Sequence, residues 1–180
     1  FPMISLEGRR FWILGLLPVH RDQIVWSKFL FSFLGGVLPC CGLVFLSDTM
    51  LGLSRRTILL HEICCVMLCM GLSGIAVGLG ARMPDLREVS PAKISSGFGG
   101  TLSLVISSLF IMTVVVVAAL PSHLFLAAHA LGPGGPRGLL AWAGSSRGEA
   151  VSLAIVVALG LAATAIPLRL GLRSFRRLEP

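Results

Sequence analysis

Charged residues are scarce in this sequence. Only 13% of its 180 residues are Asp, Glu, Lys or Arg, whereas a typical soluble domain is about 25% charged. Hydrophobic residues make up 55% of the chain, and its mean hydropathy is +0.91. These values exclude an ordinary soluble domain and indicate an integral membrane protein.

The sequence also lacks the common motifs of nucleotide and metal chemistry. It contains no glycine-rich loop followed by Lys and Ser or Thr, and no His–Glu–x–x–His run. His61 and Cys65 share a helix face, but a structural metal site needs about four ligands. We therefore expect no catalytic residue, metal or cofactor in this chain. The cysteines lie in apolar segments, where a thiol behaves as a small hydrophobic group; they are Cys40, Cys41, Cys64, Cys65 and Cys69.

Four apolar segments are long enough to cross a bilayer. A hydrocarbon core of about 30 Å requires about 20 apolar residues in a helix, and lipid offers the backbone no hydrogen-bond partners, which favours helices. The predicted fold is therefore an all-α integral membrane protein with four transmembrane helices. The predicted spans cover about 29–47, 57–81, 101–121 and 150–168.

The basic residues alternate in number between the gaps. Of the fifteen Lys and Arg residues, the N-terminal segment and the C-terminal tail carry more than the gaps that follow the first and third spans. Cytoplasmic loops are enriched in Lys and Arg. This pattern places residues 1–28, the loop between the second and third spans, and the basic tail 169–180 in the cytoplasm. The basic residues form no single patch, so nucleic acid is not an expected partner.

The segment 121–149 is predicted to lie outside, as a re-entrant or interfacial loop. It contains two short apolar pieces, 123–131 and 138–143, that are too short to span. The turn GPGGP at 132–136 separates them.

The second predicted span contains three glycines on one helix face and one acidic residue. Gly71, Gly74 and Gly78 recur on one helix face, which lets another helix approach closely, and Ala158 and Ala162 repeat this spacing in the fourth span.

Two alternatives remain for Glu62, with its neighbour His61. It forms an intramembrane polar site, or it reaches the outer headgroups beside Arg55 and Arg56.

Residues 1–28 are predicted to form an amphipathic cytoplasmic segment that precedes the bundle of residues 29–180. Residues 6–17 fit a helix capped by Ser5 and ended by Pro18. A second helix is expected to start near His20 and enter the membrane. The simplest interpretation of this segment is an interfacial anchor.

The stretch SLEGRRFWILGLLPVHRDQIVWSKF, residues 5–29, resembles the cytoplasmic segment of type-2 ABC transporter permeases that contacts the ATP-binding subunit. The segment MPDLREVSPAKISSGFGGTLSL, residues 83–104, is similar to an inner loop of bacterial exporters of this kind. His20 departs from the family pattern, which commonly has Ser there. The first two membrane helices of a family half are missing, so the chain is expected to be the C-terminal part of a permease. The residues matching the first pattern are Glu7, Gly8, Trp12, Leu14, Pro18, Val19, Arg21, Ile24 and Lys28.

The resemblance implies a permease component of an ATP-driven ABC exporter in the bacterial cytoplasmic membrane. It would transmit ATPase motion to substrate translocation and would itself be no enzyme. The implied partners are an ABC ATP-binding subunit, which holds ATP and Mg²⁺, a second permease half or an identical copy, and the lipid bilayer. The residues expected to couple to the ATPase are Glu7, Gly8, Arg9, Arg10, Trp12, Pro18 and Arg21.

Two other functions remain open from the sequence. The string GLSG at 71–74 resembles the motif of rhomboid intramembrane proteases, in which a membrane-embedded serine, here Ser73, is activated by a histidine. The other alternative is a membrane scaffold or a secondary transporter without an ATPase.

Overall fold

A computed structural model of the chain describes residues 21–82, 93, 97–130 and 145–176. These residues form four long α-helices and, within the described ranges, no strands. The helices are α1, Arg21–Met50; α2, Arg55–Arg82; α3, Phe98–Ala130; and α4, Ser146–Arg176. At 1.5 Å per residue, each is roughly 42 to 50 Å long. Each is long and apolar enough to cross a membrane, so the all-helical prediction with four helices of spanning length is confirmed.

The turn between α1 and α2 follows from its local sequence. Gly52 adopts a φ of 65°, a left-handed conformation that glycine reaches without steric cost. The amides of Gly52 and Leu53 then donate to the carbonyls of Thr49 and Asp48, both at 3.1 Å, which is the Schellman ending of a helix. Ser54 caps α2 by accepting a hydrogen bond from the Thr57 amide at 3.3 Å. The chain therefore reverses within four residues.

Helices that follow one another in the chain run in opposite directions. Ser32 contacts Ser73 across α1 and α2, whereas Asp48, later in α1, contacts His61, earlier in α2; these two helices are antiparallel. In contrast, α2 and α4 run parallel, because Gly160 lies against Met67 and Gly171 lies against Gly78. The start of α1 and the end of α4 consequently lie at the same end of the bundle.

Helix α2 is the centre of the bundle. It contacts all three other helices, and its contact with α4 is the most extensive. In its most apolar stretch 39% of the residues are buried, compared with 6% in α1 and 11% in α3. The remaining apolar surface of α1 and α3 faces outward, as lipid-facing surface does in a membrane protein.

An apolar cluster packs the end of the bundle where α1 begins and α4 ends. Val25 and Phe29 of α1 are buried there together with Val77 and Ala81 of α2 and Leu168 of α4. Residues 21–28, predicted as part of the cytoplasmic segment, form the first turns of α1. The rest of that segment and residues 131–144 of the predicted outer loop lie outside the described residues, whereas the two ends of that loop belong to α3 and α4.

Helix α3 continues further than the sequence predicted. The third span was expected to end at 121, but the helix runs through Pro121 to Ala130. Proline has no amide hydrogen, so the carbonyl of Val117, four residues earlier, loses its helical donor. Ser152 of α4 donates its hydroxyl to this carbonyl. A side chain from a neighbouring helix thus satisfies the group that Pro121 frees, which is how membrane helices tolerate proline.

Candidate functional site

A cavity of about 750 Å³ lies between the four helices at the end where α1 passes into α2. All four helices contribute to its wall: the last turns of α1, the first half of α2, the later part of α3 and the first turns of α4. We call it the four-helix cavity. Its wall is largely apolar, with residues such as Leu60, Leu68, Val114, Leu153 and Val156. Its volume falls within the range of about 300–1,000 Å³ that is common for small-molecule sites.

A hydrogen-bonded pair, with its carboxylate buried, lies on the wall of this cavity. Nδ1 of His61 lies 2.8 Å from Oδ2 of Asp48, and both residues line the cavity. The side chain of Asp48 is only 8% exposed, whereas that of His61 is 49% exposed. A buried carboxylate needs a hydrogen-bond partner, and His61 supplies it from the neighbouring helix.

An ion pair joins the starts of α2 and α4. Nη2 of Arg56 lies 2.8 Å from Oε2 of Glu149, and the two side chains are 62% and 39% exposed. Glu149 lines the cavity and Arg56 does not. Glu149 also lies in the first turn of α4, where a negative charge is favoured by the helix dipole.

The structure separates the two residues that the sequence grouped as a possible intramembrane polar site. His61 faces the cavity and pairs with Asp48, whereas Glu62 is absent from the cavity wall. Consecutive helix residues point about 100° apart, so this separation follows from α-helix geometry. Glu62 lies next to Cys41 of α1, and its Oε1 is buried with no hydrogen-bond partner in the described part of the chain. Arg56 pairs with Glu149 of α4.

The predicted packing glycines lie in the contact between α2 and α4. Gly71, Gly74 and Gly78 are all buried. A Cβ atom added at Gly74 would lie 2.5 Å from the Cα of Thr164, and one added at Gly78 would meet the backbone of Pro167. On α4, Ala158 and Ala162 are exposed, and the close approach uses Gly160, Thr164, Pro167 and Gly171 instead.

Ser73 has the wrong surroundings for a catalytic serine. It is 6% exposed and accepts a long hydrogen bond of 3.4 Å from Ser32. Activation of a serine requires a base within hydrogen-bond reach. His61 is twelve positions earlier on the same helix, roughly 18 Å along its axis, and no hydrogen bond links Ser73 to a histidine among the described residues. The protease alternative gains no support from this geometry.

Almost all residues that were expected to contact the ATPase lie outside the described part of the chain. Among the expected residues, Arg21 is the first residue of α1. The residues outside the described part are Glu7, Gly8, Arg9, Arg10, Trp12 and Pro18. Within the described ranges, no group of three or more His, Cys, Asp and Glu side chains could hold a metal ion. All five cysteines carry free thiols.

Three residues in or beside the cavity were missed by sequence reasoning. Asp48 was left between two predicted spans, Arg56 was interpreted as a topology signal and a headgroup neighbour of Glu62 and not as a partner of Glu149, and Ser152 was not singled out. A signal existed for Ser152, because Pro121 in a helix requires a donor for the carbonyl it frees.

Comparison with known proteins identifies one family. A family model described as "Putative ATP-binding cassette" matches residues 1–180. No curated protein and no solved structure matches the chain significantly. The expected relation to ATP-binding cassette systems is therefore confirmed, and it links the chain to components of ABC transporters. The expected permease function is wrong, because the family description names the ATP-binding component and not a permease.

Proposed function

The chain belongs to this ATP-binding cassette family, and on that premise we propose that it is a membrane-anchoring helical part of an ATP-binding cassette assembly. Its task is to hold the nucleotide-binding machinery at the bilayer. One observation carries the proposal. A chain matched over residues 1–180 by this family consists, in its described part, of four helices that are long and apolar enough to span a membrane.

The surfaces of α1 and α3 support an anchoring role. Large apolar side chains such as Phe31, Leu38 and Leu43 on α1 and Leu109 and Met112 on α3 are between 63% and 72% exposed. An exposed apolar surface of this extent is unfavourable in water and is typical of a membrane or protein contact. In a bilayer the same side chains are solvated by lipid.

Nucleotide binding is assigned to another segment or subunit. The 180 residues contain no P-loop sequence, and the P-loop supplies the backbone amides and the lysine that hold the phosphates. We therefore expect ATP and Mg²⁺ on an associated ATP-binding domain, and no hydrolysis by this chain. A second copy of the chain, or a homologous membrane half, completes the proposed assembly.

The proposed location is the bacterial cytoplasmic membrane, with residues 1–20 and the C-terminal tail on the cytoplasmic side. The distribution of Lys and Arg in the sequence supports this orientation. The alternating helix directions are consistent with it, because they bring the start of α1 and the end of α4 to the same end of the bundle.

The proposal is tested with the intact, affinity-tagged protein in two portions of the same membranes. One portion is washed with alkaline carbonate, which removes peripheral proteins, and the chain should remain in the washed membranes. From the unwashed portion the protein is purified in mild detergent, and there we expect it to co-purify with a subunit or segment that 8-azido-ATP labels in a manner displaced by excess ATP. Proteolytic mapping should place no label within residues 21–176. Release of the chain by carbonate would refute the anchor, label within those helices would refute the assignment of ATP elsewhere, and absence of any displaceable label would refute the link to an ATP-binding assembly.

A further inference from the structure

The four-helix cavity is large enough for a ligand, and the described side chains leave it unfilled. Its 750 Å³ is many times the roughly 30 Å³ share of one water molecule in the liquid. Apolar residues form most of its wall, and a few polar groups lie on it. This combination of an apolar body and few oriented polar groups is typical of small-molecule sites.

The charged groups on the cavity wall favour a positively charged ligand. Two carboxylates line it, Asp48 and Glu149, together with His61, which is hydrogen-bonded to Asp48, and among the described residues no Lys or Arg lines it. The contact with His61 engages only Oδ2 of Asp48, and the contact with Arg56 engages only Oε2 of Glu149. A carboxylate offers about four acceptor positions on two oxygens, so each can accept from a further donor. An anion entering the cavity would instead face both carboxylates.

The existing partners of the two carboxylates leave room for a ligand cation. Both side chains of the Arg56–Glu149 pair are more than a third exposed, and exposed ion pairs contribute at most about 1 kcal/mol. A ligand cation can therefore replace Arg56 at Glu149 at low cost. At Asp48 the carboxylate is buried and must keep a hydrogen-bond partner, so the cation would join His61 there instead of replacing it.

We propose that the four-helix cavity binds an amphipathic organic cation, with its apolar body among Leu60, Leu68, Val114 and Val156 and its positive group at Asp48 and Glu149. The apolar wall provides affinity through burial, and the two carboxylates provide selection by charge. The site does not depend on the anchoring function, since it rests on the cavity alone.

The test uses the intact protein in nanodiscs of zwitterionic phosphatidylcholine, with tritiated tetraphenylphosphonium as the probe in equilibrium dialysis. We expect saturable binding of one cation per chain. Tetraphenylborate, an anion of nearly the same size and shape, is dialysed in a separate experiment, because the two ions precipitate with each other, and it should show no saturable binding above empty nanodiscs. Equal saturable binding of tetraphenylborate would overturn the proposal, because the cavity would then accept apolar molecules without regard to charge.

Three variants and one control variant locate the site. Asp48→Asn and Glu149→Gln should each weaken binding about tenfold, equivalent to about 1.4 kcal/mol. Glu62→Gln is the matched control, because this carboxylate is on α2 but not on the cavity wall, and its affinity should equal that of the parent. Ala119→Phe should abolish binding by filling the cavity from α3 while leaving both carboxylates in place.

Folding of each variant is checked by gel filtration and by the melting temperature. If Asp48→Asn fails to fold, Glu149→Gln decides the question, because it breaks only a partly exposed pair. Parent affinity in Glu149→Gln, or retained binding in Ala119→Phe, would overturn the proposal.

Discussion

Replacing Gly74 by alanine tests whether the close approach of α2 and α4 stabilises the bundle. The new Cβ atom would lie 2.5 Å from the Cα of Thr164, 3.1 Å from its Cγ2 and 3.2 Å from the carbonyl oxygen of Ala163. Ordinary van der Waals contact begins near 3.4 Å. Because two of these three atoms belong to the backbone, the helices must separate by roughly 0.9 Å locally, the difference between 3.4 and 2.5 Å.

The change in free energy of unfolding caused by this substitution has two parts with opposite signs. Overpacking a tight contact typically costs about 1–3 kcal/mol, and a gap of 0.5–1 Å forfeits about a quarter to a half of each dispersion contact along the seam. The glycine-to-alanine change itself favours the helix by about 1 kcal/mol. Gly36→Ala in α1 calibrates the second part, because a Cβ at that position meets nothing within 4 Å.

The assay is thermal unfolding in detergent or nanodiscs, followed with a maleimide dye that fluoresces on reaction with the cysteines of α2. We expect Gly36→Ala to melt at or above the parent temperature and Gly74→Ala to melt below it. The difference between the two variants should be about 2 kcal/mol, or about 4–8 °C on the scale of a domain of this size. The reasoning is refuted if Gly74→Ala melts at the same temperature as Gly36→Ala.

The other predictions concern particular contacts. Gly78→Ala should destabilise more than Gly71→Ala, because the first clash is with the backbone of Pro167 and the second with the movable ring of Phe110; equal melting temperatures would contradict this. Ser152→Ala should cost about 1 kcal/mol by leaving the Val117 carbonyl unpaired, and a double-mutant cycle should show a smaller cost in a Pro121→Ala background, where an amide hydrogen is restored. Asp48→Ala should lower the melting temperature more than Arg56→Ala, since Asp48 is buried and the Arg56–Glu149 pair is exposed; the reverse order would be inconsistent with the observed burial. Leu51→Cys, in the turn after α1, should react with a membrane-impermeant maleimide in intact cells, whereas Arg82→Cys should react only after permeabilisation; the opposite pattern would reverse the proposed orientation.

The four helices could be predicted from the sequence because their signal is local. About twenty consecutive apolar residues in lipid leave the backbone only the helix. The end of the third helix could not be predicted in the same way. The predicted span ended at Pro121, but the helix continues past it, where Ser152, 31 positions away, donates to the Val117 carbonyl. A local rule cannot include a donor that arrives from another helix.

The candidate site was harder to predict than the fold, because it consists of contacts between helices. The sequence placed His61 beside Glu62, as neighbours in the chain, but the bundle pairs His61 with Asp48 across the turn at Gly52. Arg56 and Glu149 are far apart in sequence and meet because α2 and α4 are parallel and start at the same level. Such pairs depend on helix rotation and register, which apolar composition does not specify.

The tight contact and the cavity are two consequences of the same residue order along α2 and α4. From Gly71 to Gly78 the facing residues are small, and the helices touch along their backbones. Towards the start of both helices, Met67 lies against Gly160, and Leu60 of α2 with Leu153 and Val156 of α4 line the cavity. Because the two helices run parallel, the glycine contact lies at one end of the pair and the cavity at the other. We therefore expect a substitution that widens the glycine end to change the angle at which α4 meets the cavity. Cation binding by Gly74→Ala, measured beside its melting temperature, would report whether the two ends move as one rigid unit.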